Sequence, residues 1–67
     1  MTILYNNEPL KLPKEHITLA DLAEFKQIPQ QGSAIALNDR LVKKDLWNVT
    51  FLKDLDQVTV ITAAFGG

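Results

Sequence analysis

The strongest β-strand signal in this chain lies close to its end. Residues 57–62 have the sequence Gln-Val-Thr-Val-Ile-Thr, in which five of six side chains are β-branched and suit a pleated sheet. Val58 and Val60 lie on the same face of such a strand, because side chains alternate between faces. Both must be buried, so the sequence predicts a central position for this strand. Earlier parts of the chain must then supply its neighbours.

Four earlier segments also favour β-strands. They are residues 2–5, 9–12, 33–37 and 40–42. The pairs Asn6-Asn7 and Asn38-Asp39 separate these segments into two hairpins, because both residue types tolerate the positive φ of a tight turn. Pro9 has no backbone N–H to donate, which predicts that its strand lies at an edge of the sheet.

One helix is predicted between the two hairpins. Thr18 and Asp21 have the spacing of a capping box, in which the side chain of each residue binds the backbone N–H of the other. Three apolar residues then share one helical face: Leu19, Leu22 and Ala23. Pro29 and Gly32 are expected to end the helix and open a loop.

The resulting order of elements is β-β-α-β-β-β. It predicts an α+β domain with the ubiquitin-like β-grasp layout, a mixed five-stranded sheet curled around one helix. The first and last strands should be parallel neighbours, since the long stretch between them can act as a crossover. We expect residues 1–62 to form this domain and residues 63–67 to form a flexible tail.

Composition excludes several classes of function. The 67 residues include no cysteine, so disulfides, thiolate metal sites and a nucleophilic thiol are excluded. The net charge of −1, with acids and bases interspersed, provides no basic surface for nucleic acid. Residues 1–12 lack the basic and apolar regions of an export signal, and no segment resembles a membrane span. The sequence therefore predicts a cytoplasmic protein that binds neither nucleic acid nor membrane.

The sequence ends on Gly66 and Gly67. Two glycines without Cβ atoms make a thin segment that can enter a channel too narrow for side chains. A terminal carboxylate is ordinarily ionised at neutral pH. Such a group can attack the α-phosphate of ATP when another protein supplies the nucleotide site. The sequence thus indicates a protein that is acted on at its C-terminus.

Several segments together resemble the ThiS family of sulfur carriers in thiamine biosynthesis. They are residues 36–42 (Ala-Leu-Asn-Asp-Arg-Leu-Val), Trp47, the alternating pattern Leu52, Asp54, Asp56, Val58, Val60, and the ending Ala63, Gly66, Gly67. The resemblance spans essentially the whole chain. Trp47 and the Ala-x-x-Gly-Gly ending favour this family over the related small subunit of molybdopterin synthase. At two turn positions the chain departs from the family: Leu55 replaces a usual glycine, and Asp39 replaces the glycine of a common Asn-Gly pair.

The resemblance implies a specific chemistry at Gly67. An E1-like enzyme of the ThiF type adenylates the terminal glycine with ATP and magnesium, which this chain does not itself bind. A cysteine desulfurase or sulfurtransferase then supplies persulfide sulfur, and the terminus becomes a thiocarboxylate. Thiazole synthase of the ThiG type takes that sulfur into the thiazole ring of thiamine. The residues expected to enter the partners' active sites are Ala63, Ala64, Phe65 and Gly66.

Other functions remain open at this point. A carrier of the same chemistry could deliver sulfur to molybdopterin or to a tRNA base. A β-grasp domain could also be a non-catalytic interaction module that needs no terminal glycines. An enzyme is the least favoured class, because the sequence has no Gly-rich phosphate loop, catalytic triad or metal-ligand cluster.

Partner contacts are predicted at two places besides the glycines. If Val58 and Val60 point inward, Ile61 points outward, and Leu4 should do the same on the neighbouring first strand. Leu4 and Ile61 could then form an exposed apolar patch for partner docking. Phe65 could enter a partner pocket, or else pack against the sheet of its own domain.

The remaining conspicuous side chains have structural interpretations. His16 is expected in a solvent-facing loop. Asp54 and Asp56 are expected to shape the corner of the chain formed by residues 52–56, because two carboxylates are too few for a calcium site. Residues 43–48 are expected to form a connecting turn of helix, with Leu46 and Trp47 as anchors that pack inward. Trp47 is expected in a small satellite core under a loop.

Overall fold

The computed structural model describes residues 1–13, 15–29 and 31–62. Its elements follow the predicted order, and the connecting turn of helix expected over residues 43–48 is a 3-10 helix. They are β1 (Thr2–Tyr5), β2 (Glu8–Lys11), α1 (Leu19–Phe25), β3 (Ser33–Leu37), β4 (Arg40–Val42), a 3-10 helix (Lys44–Val49) and β5 (Gln57–Thr62).

The five strands form a single mixed sheet in the order β2-β1-β5-β3-β4. β5 is central, as its β-branched sequence predicts, and it runs parallel to β1 and antiparallel to β3. The two outer pairs, β1 with β2 and β3 with β4, are antiparallel hairpins. Pro9 lies in the edge strand β2, where its missing N–H breaks no interior ladder. The predicted α+β layout with a five-stranded sheet is confirmed.

Helix α1 begins with the predicted capping box. The Thr18 hydroxyl accepts the Asp21 N–H at 3.1 Å, and the Asp21 carboxylate accepts the Thr18 N–H at 3.0 Å. The helix ends before Pro29, because Gln27 takes a left-handed conformation with φ of 54°. The Ile28 N–H then donates to the Ala23 carbonyl at 2.8 Å, which is the bond of a Schellman motif. This cap could not be foreseen from Gln27, since glycine usually occupies that position.

The core lies between α1 and the inner face of the sheet. Among the described residues, the large side chains that are fully buried in this core are Ile3, Leu19, Leu22, Ile35 and Val58. Val60, which was predicted to be buried, is only half-buried but packs against the same cluster. This arrangement leaves the opposite face of the sheet without a covering helix among the described residues.

The two residues of the 3-10 helix that were expected to pack inward differ in burial. Trp47 is buried in the main core, and its indole Nε1 donates to the Val42 carbonyl at 3.0 Å. The satellite core predicted for Trp47 is therefore wrong. Leu46 is exposed, so its predicted inward packing is also wrong. Adjacent residues of a 3-10 helix point about 120° apart, which lets only one of the two face the core.

Both predicted hairpin turns take the left-handed backbone that their residues tolerate. Asn6 and Asn7 have φ of 49° and 69°, and Asn38 and Asp39 have φ of 50° and 68°. Positive φ at both central residues is the type I′ arrangement, whose twist matches that of the flanking strands. Asp39 thus adopts a conformation that glycine supplies more easily, and the turn forms with aspartate in this position.

Candidate functional site

The predicted reactive segment continues directly from β5. Gly67 and the predicted tail residues Ala63, Ala64, Phe65 and Gly66 lie outside the described residues. The described part of the site is the strand that leads into them, which ends at Thr62. How β5 is held therefore decides where residues 63–67 start.

The two neighbours of β5 cover different lengths of it. β3 pairs along the strand from Leu37 opposite Val58 to Ser33 opposite Thr62. β1 pairs only through Leu4 and Tyr5, opposite residues 57 and 58. Residues 59–62 thus run past the end of β1, and β3 is the strand that pairs with β5 as far as Thr62.

Asn6 supports β5 on the side where β1 has ended. Its backbone N–H donates to the Val58 carbonyl at 2.9 Å. Its side-chain Oδ1 accepts the Val60 N–H at 2.7 Å. On the opposite side, the Ser33 and Thr62 hydroxyl oxygens lie 3.3 Å apart. The sequence indicated Asn6 only as a turn residue, because nothing in the turn pattern predicts a contact 54 positions away.

The start of β5 is held by carboxylate and amide side chains. The Asp56 carboxylate accepts the Lys53 N–H at 2.7 Å and the Asn38 Nδ2 at 3.0 Å. The Asn38 Oδ1 in turn accepts the Gln57 N–H at 2.9 Å. These bonds join the corner before β5 to the β3–β4 turn, in agreement with the corner-shaping role predicted for Asp56.

The same corner contains a residue in a costly conformation. Leu55 has φ of 69°, a left-handed conformation that glycine adopts more easily than leucine. Its N–H donates to the Thr2 carbonyl at 2.6 Å, and the Thr2 N–H donates to the Asp54 carboxylate at 2.9 Å. These two bonds connect the corner to the start of β1 and hold Leu55 in the left-handed region.

The two residues of the predicted apolar patch, Leu4 and Ile61, are not neighbours in the sheet. Leu4 is half-buried and lies opposite Gln57, whereas Ile61 is 65% exposed and lies opposite Ala34. Ile61 lies four residue steps along β5 from Gln57, which separates Leu4 from Ile61 by about 13 Å along the strand direction. A docking role for Leu4 and Ile61 stays a prediction, but the two do not form one contiguous pair.

The sheet register places other apolar residues near Ile61. Ala36 lies opposite the exposed Leu41, and by alternation these two share the outer face with Ala34 and Ile61. We call these four residues the outer strip. Sequence reasoning missed Leu41 because its position relative to Ile61 depends on the register of three strands, which no local pattern specifies.

Other chemistry is limited in the part of the chain that the structure describes. No group of three or more His, Cys, Asp or Glu side chains there could hold a metal ion. His16 is exposed, as expected, with φ of 60°. None of the helices among these residues is long and apolar enough to cross a membrane.

Comparison with known proteins places this arrangement in a family. A model of the ThiS family matches residues 3–67, which include Gly66 and Gly67. The chain belongs to the ThiS family. The match covers the whole sheet except Thr2, the first residue of β1, and it includes all of the residues predicted to form the tail.

Individual relatives agree with this membership in the ThiS family. The sulfur carrier protein ThiS of Escherichia coli is 28% identical over 67 residues, and the alignment covers both chains completely. The ycf40 protein of Pyropia yezoensis is 34% identical over all of this chain and 93% of its own length. A crystal structure of the thiamine biosynthesis protein ThiS from Geobacter metallireducens is 22% identical, covers both chains fully and superposes with a TM-score of 0.85. The last likeness supports the β-grasp fold.

Proposed function

We propose that this chain is a cytoplasmic sulfur carrier whose Gly67 carboxylate becomes a thiocarboxylate and supplies the sulfur of the thiamine thiazole ring. The observation that carries the proposal is the ThiS family match over residues 3–67, which runs through both glycines at the end of the sequence. The Escherichia coli relative, aligned over its full length, is itself named a sulfur carrier. The chain acts as a protein substrate, and sulfur-transfer enzymes are its partners.

The proposed activation replaces a carboxylate oxygen with sulfur. At an E1-like enzyme of the ThiF type, a Gly67 oxygen attacks the α-phosphorus of ATP and releases pyrophosphate, while magnesium at that enzyme offsets the phosphate charge. The terminal sulfur of a cysteine persulfide, loaded by a cysteine desulfurase or sulfurtransferase, attacks the acyl carbon and expels AMP. A second thiol then attacks the donor cysteine's sulfur, forms a disulfide with it, and breaks the S–S bond of the original persulfide, which releases the thiocarboxylate.

In this proposal the catalytic groups belong to the partner enzymes. ATP, magnesium and the proton-transfer groups belong to the activating enzyme, and this chain contributes a terminus narrow enough to reach them. Five residues, 63–67, extend at most about 17 Å at about 3.3–3.6 Å each. In this proposal the β-grasp body stays outside the channel, Ala63, Ala64 and Gly66 pass through it, and Phe65 enters a pocket of the partner.

The outer strip is the surface we propose for docking. It lies on the uncovered sheet face, and Ile61 is separated from the tail by one residue, so a partner that receives residues 63–67 can also contact Ile61. Exposed apolar residues gathered on one face often mark protein interfaces. Leu4, about 13 Å away along the strands, would lie toward the margin of this contact.

The docking surface can be tested with a matched pair of substitutions. Ile61→Thr keeps a β-branched residue in β5 but places a hydroxyl in the strip, and Val49→Thr makes a similar change on the 3-10 helix at a site that is 62% exposed. We expect Ile61→Thr to raise the KM of the activating enzyme for the carrier about five- to tenfold, as loss of a central apolar contact does. Val49→Thr should leave the KM unchanged, and equal effects of the two substitutions would refute the strip as a docking surface.

The function itself is tested by intact-mass measurement. The protein is incubated with an E1-like enzyme of the ThiF type, ATP, magnesium and a persulfide donor. We expect a mass increase equal to the difference between sulfur and oxygen, dependent on ATP, and no increase after deletion of Gly67. If a competent system leaves the full-length mass unchanged, the carrier proposal fails and the interaction-module alternative is favoured.

The sulfur acceptor is tested in a second step. Purified thiocarboxylate carrier is offered to thiazole synthase of the ThiG type with its other substrates, to the large subunit of molybdopterin synthase, or to a tRNA-thiolating enzyme. We expect thiazole synthase to discharge the carrier. Discharge by one of the other two enzymes alone would retain the carrier chemistry and replace the thiamine assignment.

A further inference from the structure

The C-terminal half of β5 (residues 60–62) lies beyond the last paired residue of β1. In a parallel pair of strands, a residue donates its N–H to the carbonyl of one residue on the neighbouring strand. Its own carbonyl then accepts the N–H of the residue two positions farther along that neighbouring strand. Leu4 follows the first half of this rule, since its N–H donates to the Asp56 carbonyl at 2.9 Å. Two residues later, Asn6 occupies the next position of the ladder.

Asn6 continues the ladder with its side chain. Its N–H donates to the Val58 carbonyl, as the next strand residue would. Its backbone cannot continue, because φ of 49° turns the chain into the β1–β2 hairpin. The side-chain Oδ1 accepts the Val60 N–H at 2.7 Å, so the carboxamide oxygen does what a backbone carbonyl of a longer β1 would do.

We propose that Asn6 is a positioning residue for the reactive tail. By binding Val60, its carboxamide holds the C-terminal half of β5 in line with the central strand, and it thereby fixes the point and direction from which residues 63–67 leave the domain. This inference rests on the proposed function, since it concerns the presentation of Gly67 to the activating enzyme. It adds to that function a residue distant in sequence from the C-terminus.

The alternative is that Asn6 serves only the turn. Asparagine is common at left-handed turn positions, and glycine adopts the same φ without cost. The two roles therefore separate in the variant Asn6→Gly, which suits the turn but has no oxygen for the Val60 N–H. Asn6→Asp retains an oxygen acceptor at the same place. Asn7→Gly puts glycine at the second central residue of the same turn, where φ is 69°, and leaves the Asn6 carboxamide in place.

Hydrogen exchange at the Val60 amide reports the contact directly. In Asn6→Gly we expect this amide to exchange about five- to tenfold faster, as the loss of one hydrogen bond implies. In Asn6→Asp and Asn7→Gly its exchange should stay within about twofold of the wild type, since both retain an acceptor at residue 6. Circular dichroism and thermal unfolding of the same samples check that each variant keeps the fold.

Steady-state adenylation by the E1-like enzyme reports the consequence. If residues 63–67 start in the right direction only part of the time, the apparent affinity of the carrier for the E1-like enzyme falls in proportion to that fraction. Asn6→Gly should therefore raise KM about three- to tenfold and leave kcat unchanged. Asn6→Asp should restore the wild-type KM, and Asn7→Gly should match it. The inference is overturned if Asn6→Gly leaves Val60 exchange or KM at the wild-type value, or if Asn7→Gly raises KM equally. If the wild-type protein is not adenylated at all, the proposed function fails and this inference fails with it.

Discussion

The two ends of β5 are held in different ways. At its start, Asp54 accepts the N–H of Thr2, and Asp56 accepts the N–H of Lys53 within the same corner. Asn38 links the corner to the β3–β4 turn. At its end, the side-chain contacts are the Asn6 bond to Val60 and a hydroxyl pair at 3.3 Å. Several hydrogen bonds to carboxylates thus hold the start of β5. Its C-terminal half is held by fewer side-chain hydrogen bonds, and these are between neutral groups.

This difference follows from what each end must do. The start of β5 must enforce a sharp corner that contains a left-handed leucine, and carboxylates that accept backbone N–H groups can do so with few residues. In the proposed function, the end of β5 has only to lead into residues 63–67. A domain of this size has about 3–5 kcal/mol of stability from its core, so the bonds at the corner contribute a substantial part of the total.

The largest effect should come from removing the centre of the corner network. Asp56→Ala takes away the acceptor for the Lys53 N–H and for the Asn38 amide. We expect the free energy of unfolding, measured by urea denaturation, to fall by about 2 kcal/mol, since hydrogen bonds to charged groups contribute about 1.5–3 kcal/mol each before solvation of the freed groups. Asp54→Ala, which removes one acceptor, should cost about half as much. A loss below about 0.5 kcal/mol for Asp56→Ala would show that the corner does not depend on this network.

A smaller effect of opposite sign is expected at the left-handed residue of the corner. A left-handed leucine costs about 1–2 kcal/mol, whereas glycine avoids this cost and loses about 0.5–1 kcal/mol through extra freedom in the unfolded chain. Leu55→Gly should therefore stabilise the protein by about 0.5 kcal/mol, since the side chain is 68% exposed and loses little packing. Leu55→Ala retains a Cβ and should give no gain. Equal stability of the Gly and Ala variants would contradict backbone strain as the cause.

The smallest effect is expected at the end of β5. Ser33→Ala removes the hydroxyl that lies near the Thr62 hydroxyl, and both groups are exposed to solvent. The free energy of unfolding should change by less than about 0.5 kcal/mol, as for other exposed substitutions. A loss comparable to that of Asp56→Ala would remove the contrast between the two ends, because it would mean that the end of β5 is held as firmly as its start.

Local patterns in the sequence were sufficient for most of the fold. The β-branched run placed β5 at the centre, Pro9 placed β2 at an edge, and Thr18 with Asp21 marked the first turn of the helix. Each of these features depends on the backbone preferences or hydrogen-bonding capacity of a few adjacent residues. That is why they could be predicted without knowing which segments meet in space.

Features that depend on contacts between distant segments could not be predicted in this way. The separation of Leu4 from Ile61 follows from the β1–β5 register, and the burial of Trp47 rather than Leu46 follows from how the 3-10 helix lies on the core. The bond from Asn6 to Val60 spans 54 positions. In each case the residues involved have ordinary local patterns, and only the assembled sheet determines what they contact.

The central claim is that the folded body presents the Gly67 carboxylate as the group that receives sulfur. The most direct test is tandem mass spectrometry of the protein after reaction with the E1-like enzyme, ATP and a persulfide donor carrying isotopically labelled sulfur. The claim predicts that labelled sulfur appears in the C-terminal fragment, on Gly67 alone. Label on any other residue, or none in a reaction that loads an authentic ThiS, would contradict it.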